Sequence, residues 1–457
     1  MARKVFISFL GFTNYTECRF FKDEFCSSDV RYIQEATLDY LLTKERWTPE
    51  DVAYILLTDG AKKNNWVDNG HTNHETNTPI IQHGLETRLK KKSYPFKIKT
   101  IEQLPVGKSE NELFEIFRKV YDVLEVGDHL YFDITHGFRS LPMLALVLIN
   151  YAKFLKDVEV KSITYGNFET RDTFLDDNGK KHYKAPIIDL LPISGIQDWT
   201  FAAADYLKNG NADRFLDLSI NYRTSLFKGI RAGDTKEAIS INGLTTCLNK
   251  VTDDFQTCRG HEILSCKNIS SLKKKLSLLN NTVIEPLNPV IRKIEEAFGP
   301  FEEPAKERNT SLRNGLEAAR WCMSNNLYQQ AATILQECVV THFCLKYNIN
   351  IDKDTDRKLV NGAFKKVSLL NSSKTSEEEK AEILSEVENE PVTKMLISDA
   401  FISDREIFEA FSLLTEERND INHSGMRSQP HSAGTIRQNI KQAYQVFLEK
   451  LSNVSKQ

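Results

Sequence analysis

Short apolar runs alternate with helix-like segments over the first 190 residues of the chain. The apolar runs that are typical of strands occupy 4–10, 52–58, 96–104, 128–134 and 159–168. The segments with helical periodicity between them are 30–42, 80–91, 109–124 and 138–155. Strands separated by helices predict right-handed crossovers and a mainly parallel α/β sheet. Two further strand-like pieces flank a turn at 176–179, which is typical of a hairpin.

The pattern changes near residue 195, where strand signals almost disappear and helical periodicity takes over. The candidate helices are 198–208, 212–230, 234–258, 268–297, 308–325, 327–346, 358–369, 376–388, 404–422 and 432–453. Gly299, Pro300 and Pro304 interrupt the helical pattern near residue 300. The sequence therefore predicts an α/β part followed by an all-α part: a Rossmann-like domain over 1–194, a helical connector over 195–300 and a helical domain over 301–457.

Bulk composition narrows the classes of function. The 457 residues carry a net charge of −3, so any site for a polyanion must be a local patch. The apolar run 141–155 is too short to span a bilayer and contains Lys153, so we expect no membrane segment. The N-terminus is interpreted as a first strand rather than a signal peptide, because its apolar part is short and alternates with polar residues.

Eight cysteines are present without a Cys-x-x-Cys pair, which favours a reduced, cytoplasmic protein. Cys258, His261 and Cys266 lack a fourth zinc ligand at suitable spacing. His71 and His74 lie in an Asn-rich stretch that we interpret as a solvated loop. We therefore expect no metal site.

The octet Asp-Ile-Thr-His-Gly-Phe-Arg-Ser at 133–140 holds the densest candidate chemistry. It follows a predicted strand and precedes the apolar run 141–155, which is predicted to be a buried helix. Ligands of open α/β sheets bind at such strand-to-helix turns. Helix N-termini favour anions, and the octet adds hydroxyl, imidazole and guanidinium groups. The octet therefore predicts a site for a phosphate-bearing ligand.

A second candidate site closes the predicted helix 404–422. Arg418 and His423 stand five residues apart, and Asn419 follows the arginine directly. A guanidinium binds phosphate and an imidazole transfers protons, so the pair suits RNA cleavage without a metal. Taken alone, the spacing is better described by an arginine paired with Glu417 or Asp420 on a solvated helix end. Context must therefore decide between the two interpretations.

That context is a resemblance carried by several motifs. Asp133-Ile-Thr-His-Gly137 resembles the Asp-x-Thr-His-Gly motif of a group of CRISPR-associated proteins, as do the segments 32–36 and 57–62 with Asn65-Trp66. Arg418 through His423 is similar to the Arg-x(4–6)-His motif of HEPN ribonucleases. The order of the motifs resembles the type III CRISPR accessory ribonucleases over nearly the whole chain. The resemblance implies an N-terminal CARF domain and a C-terminal helical HEPN domain.

The resemblance further implies a CARF dimer that binds a cyclic oligoadenylate over the carboxyl ends of its strands. The matching positions in this chain are Gly11, Phe12, Thr13, Asn14, Thr58, Asp59, Thr135, His136, Gly137, Arg139, Ser140, Tyr165, Gly166 and Asn167. Gly11 and Gly137 would permit close backbone approach to phosphate. Thr135, Arg139 and Ser140 would donate to the phosphate. Phe12 or Tyr165 would stack on adenine, and cyclic tetra-adenylate is favoured over hexa-adenylate.

The same resemblance implies an allosteric, metal-independent endoribonuclease of antiviral defence that needs no cofactor. Arg418, Asn419 and His423 of two protomers would form a composite site that cuts single-stranded RNA and leaves a 2′,3′-cyclic phosphate. The protein would be a homodimer or a larger homo-oligomer, with 195–300 as the transmitter between its parts.

Two alternatives stay open at this point. In the first, the protein is a nucleotide-sensing CARF module whose helical half recruits a partner without catalysis, and Arg418 and His423 are structural. In the second, the sensing pocket also cleaves its own activator.

Overall fold

The computed structural model describes residues 2–73, 75–137, 140–176, 178–228, 234–279, 288–303 and 311–451. The chain divides into two compact units, Met1–Gly195 and Ile196–Gln457. The first unit holds all strands of the described chain, and the second unit is built from helices. The change from α/β to all-α that the sequence predicts is therefore confirmed, while a separate connector over 195–300 stays a prediction.

A nine-stranded mixed sheet forms the centre of the first unit. Its strands are β1 (Lys4–Phe9), β2 (Arg19–Lys22), β3 (Phe25–Cys26), β4 (Val52–Thr58), β5 (Lys97–Leu104), β6 (His129–Asp133), β7 (Glu159–Gly166), β8 (Asp172–Leu175) and β9 (Lys181–Asp189). The strand order is β3-β2-β9-β7-β6-β1-β4-β5, and β8 pairs with β9. The five strands from β7 to β5 are parallel to one another. The predicted Rossmann-like parallel sheet is confirmed, and the predicted hairpin is β8–β9.

Helices cover both faces of this sheet. They are α1 (Ile33–Lys44), α2 (Asp59–Ala61, continued by a π-helical turn Lys62–Trp66), α3 (Leu85–Lys92), α4 (Glu110–Asp122) and α5 (Leu141–Lys156), and α6 (Leu191–Asn209) runs on into the second unit. Val5, Ile7 and Phe9 of β1 belong to a core with α4 and α5. Phe6 belongs to a core with α1 and α3 on the opposite face. The alternation along β1 therefore produces a three-layer unit.

Three sequence expectations for this unit were wrong in detail. The helix expected from residue 30 begins at Ile33, because Val30 pairs with Cys18 as a β-bridge. The helix expected from residue 80 begins at Leu85. Strands β2 and β3 were missed because they are short, and β2 pairs with the distant β9.

Helix α5 departs from the buried helix that its apolar sequence predicts. One face, which includes Ala145, Leu148 and Ala152, packs on the sheet. Met143, Val147 and Phe154 point away from it, and they are 75%, 53% and 84% exposed in the single chain. The sheet can cover one side of a helix, so the rest of this apolar surface stays uncovered.

Strand β1 lies at the point in the sheet where the order of the strands reverses. Among the parallel strands, β4 and β5 follow β1 on one side, whereas β6 and β7 lie on its other side. The carboxyl ends of β4, β1, β6 and β7 therefore meet along one edge, which we call the sensing edge. Ligands of open α/β folds bind at such a point.

The second unit is a helical assembly around one continuous core. Besides most of α6, its helices are α7 (Asp213–Lys228), α8 (Asp234–Gln256), α9 (Gly260–Leu264), α10 (Lys267–Leu279), α11 (Asn288–Phe298), α12 (Leu312–Ser324), α13 (Tyr328–Lys346), α14 (Asp354–Asn371), α15 (Glu377–Val387), α16 (Pro391–Ile402), α17 (Arg405–Asn422) and α18 (Ala433–Leu451). Helices α9 and α16 were not expected. The predicted helix 268–297 corresponds to α10 and α11, and its residues 280–287 lie outside the described residues. So do 229–230, 308–310 and 452–453 of three other predicted helices.

Helix α17 carries the second candidate site and is anchored by its apolar face. Phe408, Phe411 and Leu414 are buried in the core, and the ring of Phe411 stacks on Phe364 of α14 with centroids 3.9 Å apart. The helix ends at Asn422, and three residues later the left-handed Gly425 (φ 68°) donates its N–H to the carbonyl of Asp420 at 2.9 Å. Packing and capping together fix the last turn of α17.

Among the described residues, no helix is long and apolar enough to cross a membrane.

We predict that Leu414→Ala lowers the free energy of unfolding by about 2–5 kcal/mol, because Leu414 is fully buried one turn before Arg418. The matched control is Leu384→Ala, at a leucine that is 51% exposed, where we expect a loss below about 1 kcal/mol. Urea unfolding of both variants checks this. Equal losses in the two variants would contradict the described packing of α17.

Candidate functional site

A buried hydrogen-bond network joins three strands at the sensing edge. Ser8 at the end of β1 lies in register with Asp133 at the end of β6, and its Oγ donates to Asp133 Oδ2 at 2.6 Å. The Thr135 hydroxyl donates to Asp133 Oδ1 at 2.5 Å. The same hydroxyl accepts from the Gly166 N–H at the end of β7 at 2.8 Å. The octet is thereby fixed to the strands on both sides.

Asp133 is completely buried, and its carboxyl is the centre of this network. Burial raises its pKa to about 6, against the hydrogen bonds from Ser8 and Thr135, which favour the ionised form. Gln34 of α1 completes the arrangement, because its Nε2 donates to Ser8 Oγ at 3.0 Å and to the Phe9 carbonyl at 2.9 Å. Gln34 therefore connects the helix layer to the sensing edge.

The turn after β1 is held by side chains from other segments. Asn65 Nδ2, in the π-helical turn, donates to the carbonyls of Gly11 and Thr13 at 2.9 and 2.8 Å. Asn64 Nδ2 donates to the Phe12 carbonyl at 2.9 Å. Arg31 donates to Asn14 Oδ1 at 3.1 Å. The turns after β1 and β4 are therefore connected to each other.

The imidazole of His136 packs on a tyrosine from the β1 turn. The rings of Tyr15 and His136 stack with centroids 4.2 Å apart. Burial lowers the pKa of His136 to about 4 and raises that of Tyr15, so both side chains are neutral near pH 7. His136 therefore offers this site a neutral ring and no positive charge.

The glycines in these two turns lie against neighbouring side chains, so a larger residue at either position would force those side chains to shift. A Cβ on Gly11 would lie 2.0 Å from the Tyr15 hydroxyl oxygen. Gly137 has a φ of +148°, and a Cβ there would lie 2.1 Å from Leu141 Cδ1. Close approach to phosphate was the reason expected from the sequence. The structure adds a requirement internal to the chain.

The predicted ligand positions that the structure describes lie on the turns of the sensing edge. The Thr135 hydroxyl, which the sequence predicts to donate to phosphate, donates to Asp133 in the structure and organises the turn. Thr58 Oγ1 accepts from the Ala61 N–H at 3.2 Å and caps α2, next to Asp59. Phe12 is 56% exposed. Arg139 lies outside the described residues.

The remaining predicted positions differ in their hydrogen bonds and in the exposure of their side chains. The Tyr165 hydroxyl donates to Glu169 at 2.8 Å, and the Asn167 N–H donates to the Pro186 carbonyl at 2.9 Å. Ser140 is exposed at the start of α5. Phe12, Thr13, Asn14, Asp59 and Ser140 are the exposed side chains among the positions predicted to contact the ligand.

Sequence reasoning missed the residues that hold this edge together. Ser8 and Tyr15 had no signal of their own, because both lie in ordinary strand or turn patterns. Arg31 could not be placed without knowing that α1 begins beside the β1 turn. Gln34 and Asn65 lie within the motif segments of the sequence. Only their contacts in the structure explain why those residue types are needed.

In the second unit, Arg418 and Asn419 line a groove of about 1280 Å³ along α17. Its other walls come from α13, α14 and α16, and it reaches back to Arg405. Arg418 Nε is buried without a hydrogen-bond partner among the described residues. His423 caps the helix through its N–H to the Asn419 carbonyl at 3.0 Å, and its side chain is exposed. His423 is not among the residues that line the groove.

The interpretation of Arg418 as a partner of Glu417 or Asp420 does not hold in the structure. Glu417 Oε1 accepts from His431 and Asn439, at 2.8 and 2.6 Å. Asp420 accepts from the His431 backbone N–H at 2.9 Å, and Arg427 lies 3.7 Å from its Oδ2. Both carboxylates therefore stabilise the loop after α17, and Arg418 pairs with neither.

No group of three or more His, Cys, Asp or Glu side chains suited to a metal ion is found in the described ranges. The eight cysteines are free thiols. Four of them, Cys266, Cys322, Cys338 and Cys344, belong to the core of the helical unit.

We predict a pH-dependent stability that depends on Asp133. Its pKa is raised in the folded protein, so the neutral carboxyl stabilises the fold at low pH, and this contribution is lost as pH rises through about 6. Asp133→Asn removes the titration, so its stability relative to the unmodified chain should improve between about pH 5 and about pH 8. Denaturant unfolding of both proteins at the two pH values measures this. A stability difference that does not change with pH would contradict the buried carboxyl.

A known protein family matches the part of the chain that contains the sensing edge. Residues 5–169 match the family described as "CRISPR system endoribonuclease Csx1, CARF domain". All ligand positions predicted from the resemblance fall within the matched residues.

A CRISPR-associated protein of Methanocaldococcus jannaschii is 23% identical over 238 residues, which is 52% of this chain and 32% of the relative. The chain thus spans about a third of the length of that curated relative. These findings support the part of the resemblance that concerns the first unit: residues 5–169 match the CARF domain of the Csx1 family, in a chain that is similar to a CRISPR-associated protein.

Proposed function

We propose that this protein is a metal-independent, single-strand endoribonuclease that a cyclic oligoadenylate activates in type III CRISPR antiviral defence. The observation that carries the proposal is the CARF domain over 5–169, followed in the same chain by a helical unit whose α17 ends in Arg418-Asn419 and His423. The Arg-x-x-x-x-His segment is the HEPN-like part of the proposal. The partly exposed Arg418 supports it, because its buried Nε has no hydrogen-bond partner among the described residues and the side chain lines the groove along α17.

The activator would bind along the sensing edge. CARF domains of the resembled group bind cyclic oligoadenylates, and the open Phe12 ring and Ser140 hydroxyl suit an adenine face and a phosphate. The Asp133 network fixes the turn between them before any ligand arrives. A preformed turn reduces the ordering cost of binding. Cyclic tetra-adenylate is our preferred activator, on the resemblance alone.

The apolar face of α5 supports a homodimer. Met143, Val147 and Phe154 form a stripe at helical spacing, and such exposed patches mark interaction surfaces. Helix α5 begins directly after the octet, so a second copy on this face would bring two sensing edges together. A cyclic ligand with repeated units suits a two-fold site of that kind.

RNA cleavage needs no external nucleophile. The 2′-oxygen attacks the adjacent phosphorus, the bond to the 5′-oxygen breaks, and the products are a 2′,3′-cyclic phosphate and a 5′-hydroxyl. Arg418 would stabilise the charge on the phosphorane, and His423 would transfer a proton. Asn419 would orient either group, and a second protomer would complete the site. Ligand binding activates this site only if it favours one state of the dimer over another.

A second candidate function is a nucleotide-sensing CARF module that recruits a partner without catalysis. The observation that favours it is the exposed His423, which does not share the groove lined by Arg418 within one chain. It predicts ligand binding without RNA cleavage.

We predict that the purified chain degrades single-stranded RNA when cyclic tetra-adenylate is present, also in EDTA, and that His423→Ala lowers the rate by about 100-fold or more. His261→Ala, at another exposed histidine of the same unit, should retain full activity. Denaturing gels and analysis of the product ends measure this. Full stimulated activity in His423→Ala would refute the catalytic assignment, and ligand binding without cleavage would favour the recruiting module.

We predict that Val147→Asp converts the dimer into a monomer, because a charge would be buried in the proposed α5 interface. Val126→Asp, at a valine that is 75% exposed in a loop of the same unit, is the matched control and should stay dimeric. Light scattering gives the molar mass of each. A dimeric Val147→Asp protein would exclude this face as the interface.

A further inference from the structure

The loop after α17 contains a histidine bound to a buried carboxylate. Glu417 is 0% exposed, and its Oε1 lies 2.8 Å from His431 Nδ1. Glu417 Oε1 also accepts from Asn439 Nδ2 at 2.6 Å, and with this oxygen as the acceptor His431 Nδ1 is the donor. Its Nε2 has no partner in the described part of the chain, and the side chain is 32% exposed. His431 therefore has one ring nitrogen, Nε2, that the loop does not bind.

This loop folds back on the turn that carries the candidate catalytic residues. The Gly425 N–H donates to the Asp420 carbonyl and the His431 N–H donates to Asp420 Oδ2, both at 2.9 Å. The Asp420 and Glu417 side chains therefore hold both the backbone and the ring of His431. Arg418 and Asn419 lie between these two carboxylates in the sequence of α17. His431 consequently lies against the last turn of α17.

Two polar atoms at this turn are left without partners. Glu417 Oε2 and Arg418 Nε are both buried and unpaired among the described residues. A buried unpaired polar atom costs about 1–3 kcal/mol, and such costs are concentrated at functional sites. Replacing a buried ion pair by apolar groups of similar volume is often neutral or stabilising, so stability alone does not require this carboxylate.

We propose that His431 is the general acid of the ribonuclease site and that Glu417 is its positioning residue. This inference rests on the proposed function. Glu417 holds the His431 ring through Nδ1, so Nε2 is the ring atom left to deliver a proton. We assign the other proton transfer, from the 2′-hydroxyl, to His423, whose side chain is exposed.

The two histidines divide the two proton transfers of the reaction. His423 takes the proton from the 2′-hydroxyl while the 2′-oxygen forms its bond to phosphorus. The bond from phosphorus to the 5′-oxygen breaks, and His431 Nε2 gives its proton to that oxygen. The proton count balances, and hydrolysis of the cyclic phosphate is not required.

The test compares two RNA substrates that differ in the leaving group. One is ordinary RNA, and the other carries sulfur in place of the 5′-bridging oxygen at one cleavage site. A thiolate leaves without protonation, so it does not need a general acid. His431→Ala should cut ordinary RNA about 100-fold or more slowly with KM nearly unchanged, and should cut the sulfur-containing RNA within a few-fold of the unmodified protein.

Further variants keep the test decisive. His431→Gln keeps a donor toward Glu417 and should show the same selective loss if His431→Ala is poorly folded. Glu417→Gln should slow only the ordinary substrate. His261→Ala serves as the control and should affect neither.

Equal slowing on both substrates in the folded variants, or full activity of His431→Ala on ordinary RNA, would overturn the assignment of His431. Absence of any cleavage by the unmodified protein with cyclic oligoadenylate would refute the proposed function and this inference with it. Cleavage by the unmodified protein without the selective loss refutes the inference alone.

Discussion

The buried carboxyl of Asp133 is the interaction on which the sensing half depends. It receives hydrogen bonds from the end of β1 and from the octet, and the same threonine hydroxyl reaches the end of β7. Three neighbouring strand ends are thereby fixed in one arrangement. An isolated buried carboxyl is costly, and this one is tolerated because its partners are in place. Phe12, which would contact a ligand, stands on the neighbouring turn after β1, which Asn64 and Asn65 hold.

The two candidate sites differ in whether their buried ionisable groups have hydrogen-bond partners. In the first, every oxygen of Asp133 has a donor. In the second, Glu417 keeps one oxygen and Arg418 one nitrogen without a partner among the described residues. Paired groups suit a fixed platform, whereas an unpaired group such as Arg418 beside a groove suits a site that gains partners when a ligand binds. This contrast is consistent with the proposed division into a sensing unit and a catalytic unit.

Much of the fold could be predicted from periodicity, because long patterns identify elements reliably. The alternation of β1, β4 and β6 with helices predicted the parallel sheet, and the long helices of the second unit were recognised. The short β2 was missed because its partner lies more than 160 residues later, at β9. The uncovered face of α5 could not be foreseen, because an apolar sequence does not tell which side of the helix the sheet covers.

The candidate sites were predictable in part for a similar reason. Motif residues such as Asp133 and Arg418 can be recognised by residue type and spacing. The residues that contact the sites from elsewhere in the chain cannot, since Ser8 is 125 residues from Asp133 and His431 contacts Glu417 from the following loop. The sequence also assigned Thr135 to the ligand, whereas the fold uses its hydroxyl to bind Asp133. Long-range contacts of this kind are set by the fold and are invisible to local patterns.

The most direct test of the account is the rate of RNA cleavage as a function of cyclic tetra-adenylate concentration, for the full chain and for Phe12→Ala. Loss of a base-stacking ring costs about 1–3 kcal/mol. The account predicts no cleavage without the ligand, and a half-activating concentration raised about tenfold or more in the variant with the same maximal rate. Cleavage that proceeds at one rate with or without the ligand in both proteins would contradict it.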